Sequence, residues 1–322
     1  MREEATYSIG LTPVINPKSN TPIVSNTNLN KWPAIKIKIS YPTNSIRVKS
    51  LNPKESMVIS LGNLSRPLKQ WLELRFEPYG TDQILLWLGN KKMRLPEIRL
   101  TSTVLEIPGW DRTPSWDKSK SNNDNKFRGT LWLSNEWGKL LVVNELPLED
   151  YLKWLAEISN TDNVEKIKTI LVAARSYANW YTDINNRKFP GKAYDGSDDP
   201  DVFQKYLGYG YELRSGNIDN LVDETNGTII QYQGKDIKPW YFNQSDGRTL
   251  SAKEYCTLNK GKDCQDVPYL QSVLDPAGNL WRKGHGVGIS GAGATFLATQ
   301  MDFTYDKIIK YFLDGVELKK IY

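Results

Sequence analysis

The chain has 322 residues, one histidine, two cysteines and a formal net charge of +5. Three His/Cys residues cannot build a four-ligand structural zinc site, and a single histidine excludes a catalytic zinc held by two or three, while 37 Asp+Glu leave a Ca or Mg site open. The 39% hydrophobic and 25% charged fractions describe a globular chain of about two domains, and the mild positive excess favours anionic partners without demanding nucleic acid.

Residues 1–33 are rich in Asn, Pro, Thr and Ser without periodicity and read as a linker or disordered tail. Residues 1–10 contain no apolar core of a signal peptide, and no stretch approaches the roughly 20 apolar residues of a membrane span. From Ala34 the run Ala34-Ile35-Lys36-Ile37-Lys38-Ile39-Ser40 alternates apolar with polar, the period of a half-buried strand. Short strand-like runs follow at 45–48, 56–61, 71–76, 83–88 and 102–107, so 34–126 reads as a small β-rich accessory module closed by the polar loop 111–126. Its Trp and Tyr residues suit either a glycan surface or a core.

From 127 onward the pattern is mixed. Segments 127–133 and 140–144 predict a hairpin. Leu148, Tyr151, Leu152 and Leu155 then repeat at helical spacing behind Pro147, predicting a short helix that ends near Glu157. A longer helix is expected over 163–183 from the stripe Ile167, Ile170, Leu171, Ala174, Ala178 and Tyr181. Residues 187–210 read as loop, 227–232 and 237–243 as strands, 286–300 as helix, and 305–313 as a final helix after Thr304 that stops at Gly315. The expected class is α+β: an all-β module, then a mixed helix and antiparallel-strand catalytic domain over 127–322.

Several motifs occur in a fixed order. They are Phe127-Arg128-Gly129, Val143-Asn144-Glu145-Leu146-Pro147-Leu148-Glu149-Asp150-Tyr151-Leu152, Ala156-Glu157, and Val172-Ala173-Ala174-Arg175-Ser176-Tyr177-Ala178. Then come Phe203-Gln204-Lys205-Tyr206-Leu207-Gly208, Thr225-Asn226-Gly227, Ser245-Asp246-Gly247-Arg248-Thr249, Pro268-Tyr269-Leu270, Asp275-Pro276 and Gly284-His285-Gly286-Val287-Gly288-Ile289-Ser290. The series, over roughly residues 127–315, resembles the stage II sporulation protein D and amidase-enhancer family. The resemblance implies lytic transglycosylase action on peptidoglycan: cleavage between N-acetylmuramic acid and N-acetylglucosamine, a 1,6-anhydromuramic end, and a preference for strands without stem peptides. It makes Glu157 the general acid/base. The pattern is broken after Glu157, where Ile158-Ser159 replace Met-Pro, and at Gly291, where relatives have Gln.

The residues themselves support these roles to different degrees. Glu157 lies among Trp154, Leu155 and Ile158, an apolar setting that can raise a carboxyl pKa and keep a proton ready for a leaving oxygen; otherwise it is one more surface Glu. Arg175 sits in an apolar helix and needs an acceptor, either to orient Glu157 or substrate, or as an internal ion pair. His285, between glycines, binds substrate or shuttles protons, or caps a tight turn. Substrate contacts are expected from Ser176, Tyr177, Gln204, Ser245, Asp246, Arg248, Gly286 and Ser290, although the Asp-Gly step at 246–247 also suits a hairpin turn. Some relatives carry His and Cys zinc ligands after the long helix. The matching residues 194–201 have neither, so no metal or other cofactor is expected, and their four aspartates read as a solvated loop. Cys256 and Cys264 flank a polar loop and suit a disulfide in an exported wall enzyme; the alternatives are free thiols or a nucleophilic cysteine.

The expected partner is peptidoglycan glycan, in the cell envelope or outside the cell, by way of a leader lying beyond this chain. A non-catalytic enhancer of a cell-wall amidase is the second reading, and an inactive adhesion or scaffold copy is the third. Convergence of Glu157, Arg175 and His285 on one groove is the observation that separates them.

Overall fold

A computed structural model describes residues 32–322, so all but the last two residues of the expected tail lie outside it. Strands β1 (Ala34–Ile39), β2 (Ile46–Ser50), β3 (Val58–Leu61), β4 (Leu64–Pro67), β5 (Glu73–Tyr79), β6 (Gln83–Leu88), β7 (Lys91–Leu95), β8 (Glu97–Thr101), β9 (Leu105–Glu106), β10 (Lys126–Phe127), β11 (Thr130–Glu136) and β12 (Lys139–Pro147) fill the N-terminal part. Helices dominate thereafter: α1 (Leu148–Lys153), α2 (Val164–Thr182), β13 (Gly196–Ser197), α3 (Tyr209–Glu212), α4 (Gly216–Glu224), β14 (Thr228–Tyr232), β15 (Lys235–Asp236), β16 (Tyr241–Phe242), β17 (Gln244–Arg248), α5 (Ala252–Leu258), β18 (Leu274–Lys283), β19 (Ile289–Ser290), α6 (Gly291–Gln300), α7 (Tyr305–Phe312) and β20 (Val316–Lys320). The fold is α+β.

Alternation explains the strands. Ile35, Ile37 and Ile39 of β1 are buried while the lysines between them are not, and β6, β8 and β11 repeat the pattern. These inward residues join two sheets, ordered β13-β1-β12-β11-β8-β3-β4 and β10-β9-β2-β5-β6-β7, over one core. The boundary expected at 126/127 runs through the first sheet. β1 pairs with β12 (Ile35 opposite Leu146) and β8 with β11 (Leu100 opposite Leu131), both antiparallel. A free β11–β12 hairpin would leave both edges open. The N-terminal strands close them, so the change of texture near residue 126 does not mark a break in the structure.

α2 is the hub of the C-terminal half, packed against α1, α4, α6, α7 and β14. Asn163 caps it by accepting the Glu165 N–H. α1 is shorter than its periodicity predicts. After Lys153 the chain leaves the helix and pairs with 205–207: the Ala156 N–H donates to the Lys205 carbonyl (2.9 Å) and the Leu207 N–H to the Trp154 carbonyl (3.0 Å). Glu157 therefore sits in a turn held by a distant segment, not at a helix end.

Two further expectations change. The helix predicted from Gly286 begins only at Gly291, capped by Ser290, whose Oγ accepts the Gly293 N–H at 3.1 Å. Before it, Gly288 has φ +79°, and a Cβ there would stand 2.1 Å from the Trp240 carbonyl oxygen. This close approach lets β19 pair in parallel with β16, all that remains of the strand predicted over 237–243. The aspartate loop is solvated only in part: Asp201 is exposed and Asp199 half-buried, but Asp195 and Asp198 are buried, accepting the Lys36 and Ser40 N–H groups at 3.0 and 2.9 Å, and Arg187 and Arg112 neutralise them. It clamps β13 onto the edge of β1. Cys256 and Cys264 are joined in a disulfide.

Candidate active site

Glu157 is half-buried. Its Oε1 accepts the Lys205 N–H at 2.5 Å, so the 205–207 ladder that ends α1 also fixes the carboxyl. Burial pushes its pKa above the ordinary 4.5, opposed by that N–H and by the Lys205 charge.

Its charge is felt by tyrosines from separate elements. Tyr151 (α1) and Tyr241 (β16) are raised well above the ordinary 10.0, first by burial and then by neighbouring charge that includes Glu157. Tyr177 (α2) is also raised by burial, with Glu157 among the smaller causes, and Tyr211 (α3) is pushed up to about 12 by burial, with a small contribution from Glu157. These phenols stay protonated and offer hydroxyls in place of charge. Gln204 ties two of them together: Tyr151 donates to its Oε1 (2.9 Å), and its Nε2 donates to the Tyr241 hydroxyl (2.7 Å). Both ends of the amide are thereby fixed.

His285 reaches this cluster through Tyr241. Its Nδ1 accepts the Val287 N–H at 3.1 Å, so the proton is on Nε2, which donates to the Tyr241 carbonyl at 3.0 Å. Burial among Trp240, Phe242 and Tyr255 lowers its pKa, against the pull of that carbonyl. The imidazole is neutral with both nitrogens engaged; it positions the Tyr241 strand and has no nitrogen left to carry protons.

Arg175 is not directed at Glu157. Its fork is bidentate to Glu149 (2.8 and 2.7 Å), and the remaining donors go to the Thr228 carbonyl (3.1 Å), the Val222 carbonyl and the Thr225 hydroxyl. The pair is fully buried and also takes the Gly227 N–H and the hydroxyl of Tyr322. It locks α1, α2, α4, β14 and the C-terminus together.

The expected substrate contacts divide similarly. Ser176 accepts the Ile230 N–H and donates to the Val172 carbonyl; Ser245 donates to Asp275; Ser290 caps α6. All three serve the frame. Asp246 pairs with Arg282, and Arg248 with Glu254, on the surface. The Gly286 carbonyl accepts the Leu250 N–H. Tyr177 and Gln204 are the two that join Glu157's surroundings. Sequence reading missed Tyr151, Tyr241 and Lys205. Their residue types carry no signal of their own; Tyr151 and Lys205 lay inside family-like stretches, and Tyr241 lay in none. Among the described residues no group of three or more His, Cys, Asp or Glu is placed to hold a metal ion.

Residues 136–232 match the family Stage II sporulation protein (SpoIID). Stage II sporulation protein D of Bacillus amyloliquefaciens is 31% identical over 147 residues, 42% of this chain and 40% of that protein. That of Bacillus subtilis (strain 168) is 30% identical over the same span. This part of the chain is similar to the stage II sporulation protein D family. An uncharacterised protein of Brachyspira hyodysenteriae is 29% identical over 235 residues, 71% of this chain and 58% of that protein. The chain thus spans about half the length of the curated relatives it matches. The SpoIID match contains Glu157, Tyr177 and Gln204, whereas Tyr241 and His285 reach the same cluster from beyond it.

Proposed function

We propose that this chain is a peptidoglycan lytic transglycosylase working in the cell envelope, with Glu157 as general acid and then general base. The observation that carries the reading is the setting of Glu157: half-buried, raised in pKa by burial and held by the Lys205 backbone N–H. A carboxyl so placed holds its proton to higher pH than an exposed glutamate and gives it to the glycosidic oxygen as the bond to muramic C1 breaks. The resulting carboxylate takes the proton of the muramic 6-hydroxyl, whose oxygen bonds to C1 and closes the 1,6-anhydro ring. No water is consumed, and the carboxyl ends protonated as it began. Tyr241, whose carbonyl is held by His285 and whose hydroxyl accepts from Gln204, keeps its hydroxyl proton available for a sugar oxygen. The disulfide supports an oxidising location.

The test is digestion of purified glycan strands with mass analysis of the products. Wild type releases anhydro-ended fragments, and Glu157→Gln releases none above background. Wild-type yield from Glu157→Gln removes the assignment. A second reading, enhancement of a wall amidase without cleavage, is favoured by one observation: Arg175 and His285 spend their donors inside the fold, leaving Glu157 without a charged partner from either. It requires no anhydro product from the chain alone, and faster stem-peptide release when an N-acetylmuramoyl-L-alanine amidase is added.

A further inference from the structure

The N-terminal strands carry a cavity of about 280 Å³, in a part of the chain that the SpoIID match does not reach. It lies between the end of β2, the turn 52–55 and the segment that leads into β5. Met57 is buried and Leu72 half-buried, and they give it an apolar floor. Lys49, Glu55, Lys69 and Glu73 bring two charges of each sign to its wall. Lys49 and Glu73 are paired with residues beyond the lining, Glu106 at 3.2 Å and Arg47 at 3.6 Å.

Trp71 lines the same cavity yet is 71% exposed, so most of its ring is unused by the core. Its backbone is left-handed, with φ +63°, a conformation that bulky side chains avoid and that Gly, Asn or Asp usually occupies. The Trp71 N–H donates to the Pro53 carbonyl at 3.1 Å and the Gln70 amide to the Lys54 carbonyl, and these bonds hold the segment in that shape. Trp137 is the contrast. It has φ +56° and is 84% exposed, but it sits with Gly138 in the two-residue turn between β11 and β12, where positive φ at both positions matches the twist of the strands. β4 and β5 belong to different sheets, so no hairpin imposes the conformation on Trp71. A strained residue whose ring adds little to the core has its use at the surface.

The lining selects the ligand. Balanced charge gives neither a phosphate nor a cation an advantage. A wholly apolar molecule would strip water from the charged wall without replacing its hydrogen bonds. A pyranose ring meets both conditions: its C–H face covers the indole, and its hydroxyls accept from ammonium groups and donate to carboxylates. We propose that this cavity is a carbohydrate site apart from Glu157, in which Trp71 stacks on one pyranose ring of a glycan strand while Lys69 and Glu55 bind its hydroxyls. The site gives the N-terminal strands a grip on glycan that does not depend on cleavage at Glu157.

The test follows the indole N–H signals of the full chain by heteronuclear NMR while the tetramer of N-acetylglucosamine, which has no muramic residue to be cleaved, is added. The Trp71 signal is the one missing from Trp71→Asn. It is expected to shift and saturate with the sugar, and to stay in place with inorganic phosphate or with a short peptide of Glu and Lys. Lys69→Met and Glu55→Gln should each weaken the binding read at Trp71 by about tenfold, the scale of a hydrogen bond to a charged group. Trp137→Asn should leave it unchanged. Trp71→Asn should lose retention on insoluble glycan strands at an equal or higher thermal midpoint, because Asn suits the left-handed backbone, and Trp71→Tyr should keep most of the retention. A Trp71 signal that the sugar does not move, or that phosphate or the peptide moves instead, overturns the proposal. So does a Trp71→Asn chain that unfolds below wild type with its retention intact, since the ring then serves the fold. Anhydro product reports on Glu157 and the Trp71 shift on this site, so either reading falls without the other.

Discussion

Replacing Arg175 by Met separates a structural arginine from a catalytic one. In the native chain the guanidinium and the Glu149 carboxylate have side-chain exposures of 0% and 1%. Removing the cation leaves a carboxylate in a closed interior with the Gly227 N–H and the Tyr322 hydroxyl as its remaining donors, and it orphans the acceptors at Thr228, Val222 and Thr225. A pair in contact is worth about 4 kcal/mol at the effective dielectric of real proteins, and breaking a buried pair costs about 3–5 kcal/mol. Arg175→Met is therefore expected to lower the unfolding free energy by about that amount, and the thermal midpoint by roughly 10 °C. Arg175→Lys does little better, because an ammonium cannot span both carboxylate oxygens. The double variant Arg175→Met/Glu149→Leu recovers most of the loss, since it removes the stranded charge as well, and a double-mutant cycle in urea reads the coupling. The reasoning is refuted if Arg175→Met unfolds at the wild-type midpoint while glycan cleavage disappears; Arg175 would then act on substrate and not on the frame.

Three further outcomes follow from individual groups. Glu157 must be protonated to act as an acid, so cleavage should fall as pH rises through its raised pKa, and that limb should vanish in Glu157→Gln; a rate that keeps climbing into alkali counts against the assignment. Asp219 has a buried oxygen without a partner, and burial followed by the Glu212 charge pushes it up to about 6 from 3.8. A raised carboxyl favours the fold below its unfolded value, and that advantage is lost as pH rises through the folded one. Asp219→Asn should therefore gain ~1 kcal/mol over wild type by pH 7, discounted for its partial exposure, and nothing near pH 3.5, measured by denaturant titration at both. Cys256→Ser/Cys264→Ser opens a loop of sequence separation 8 and should cost ~2 kcal/mol, read as a lower thermal midpoint. No change in that midpoint would show that the loop is ordered without its bridge.

How much was legible in advance follows from the range of each signal. Alternation at Ile35, Ile37 and Ile39, and the long apolar stripe of α2, are local patterns, and both elements appear where they were read. Short elements with weaker periods went unseen: α4 holds three buried residues, and α5 holds none and is set by a Ser251–Glu254 capping box. The end of α1 was misplaced because its helical spacing continues to Leu155, while the competing hydrogen bonds come from residues near 205.

The sequence by itself determined the α+β class and the exclusion of histidine-rich zinc chemistry, and it singled out the carboxyl proposed here as the acid. Each depends on composition, period or an ordered run of motifs. Tertiary structure alone decided what those residues touch. Glu149, 26 positions away, claims Arg175; the Tyr241 carbonyl, 44 positions away, claims His285; and Lys205, 48 positions away, fixes Glu157. Charge and hydrogen-bonding capacity are written in residue type, but a buried donor takes the acceptor that folding brings to it, and that choice is made only when the sheet, the central helix and the glycine turn close on one another.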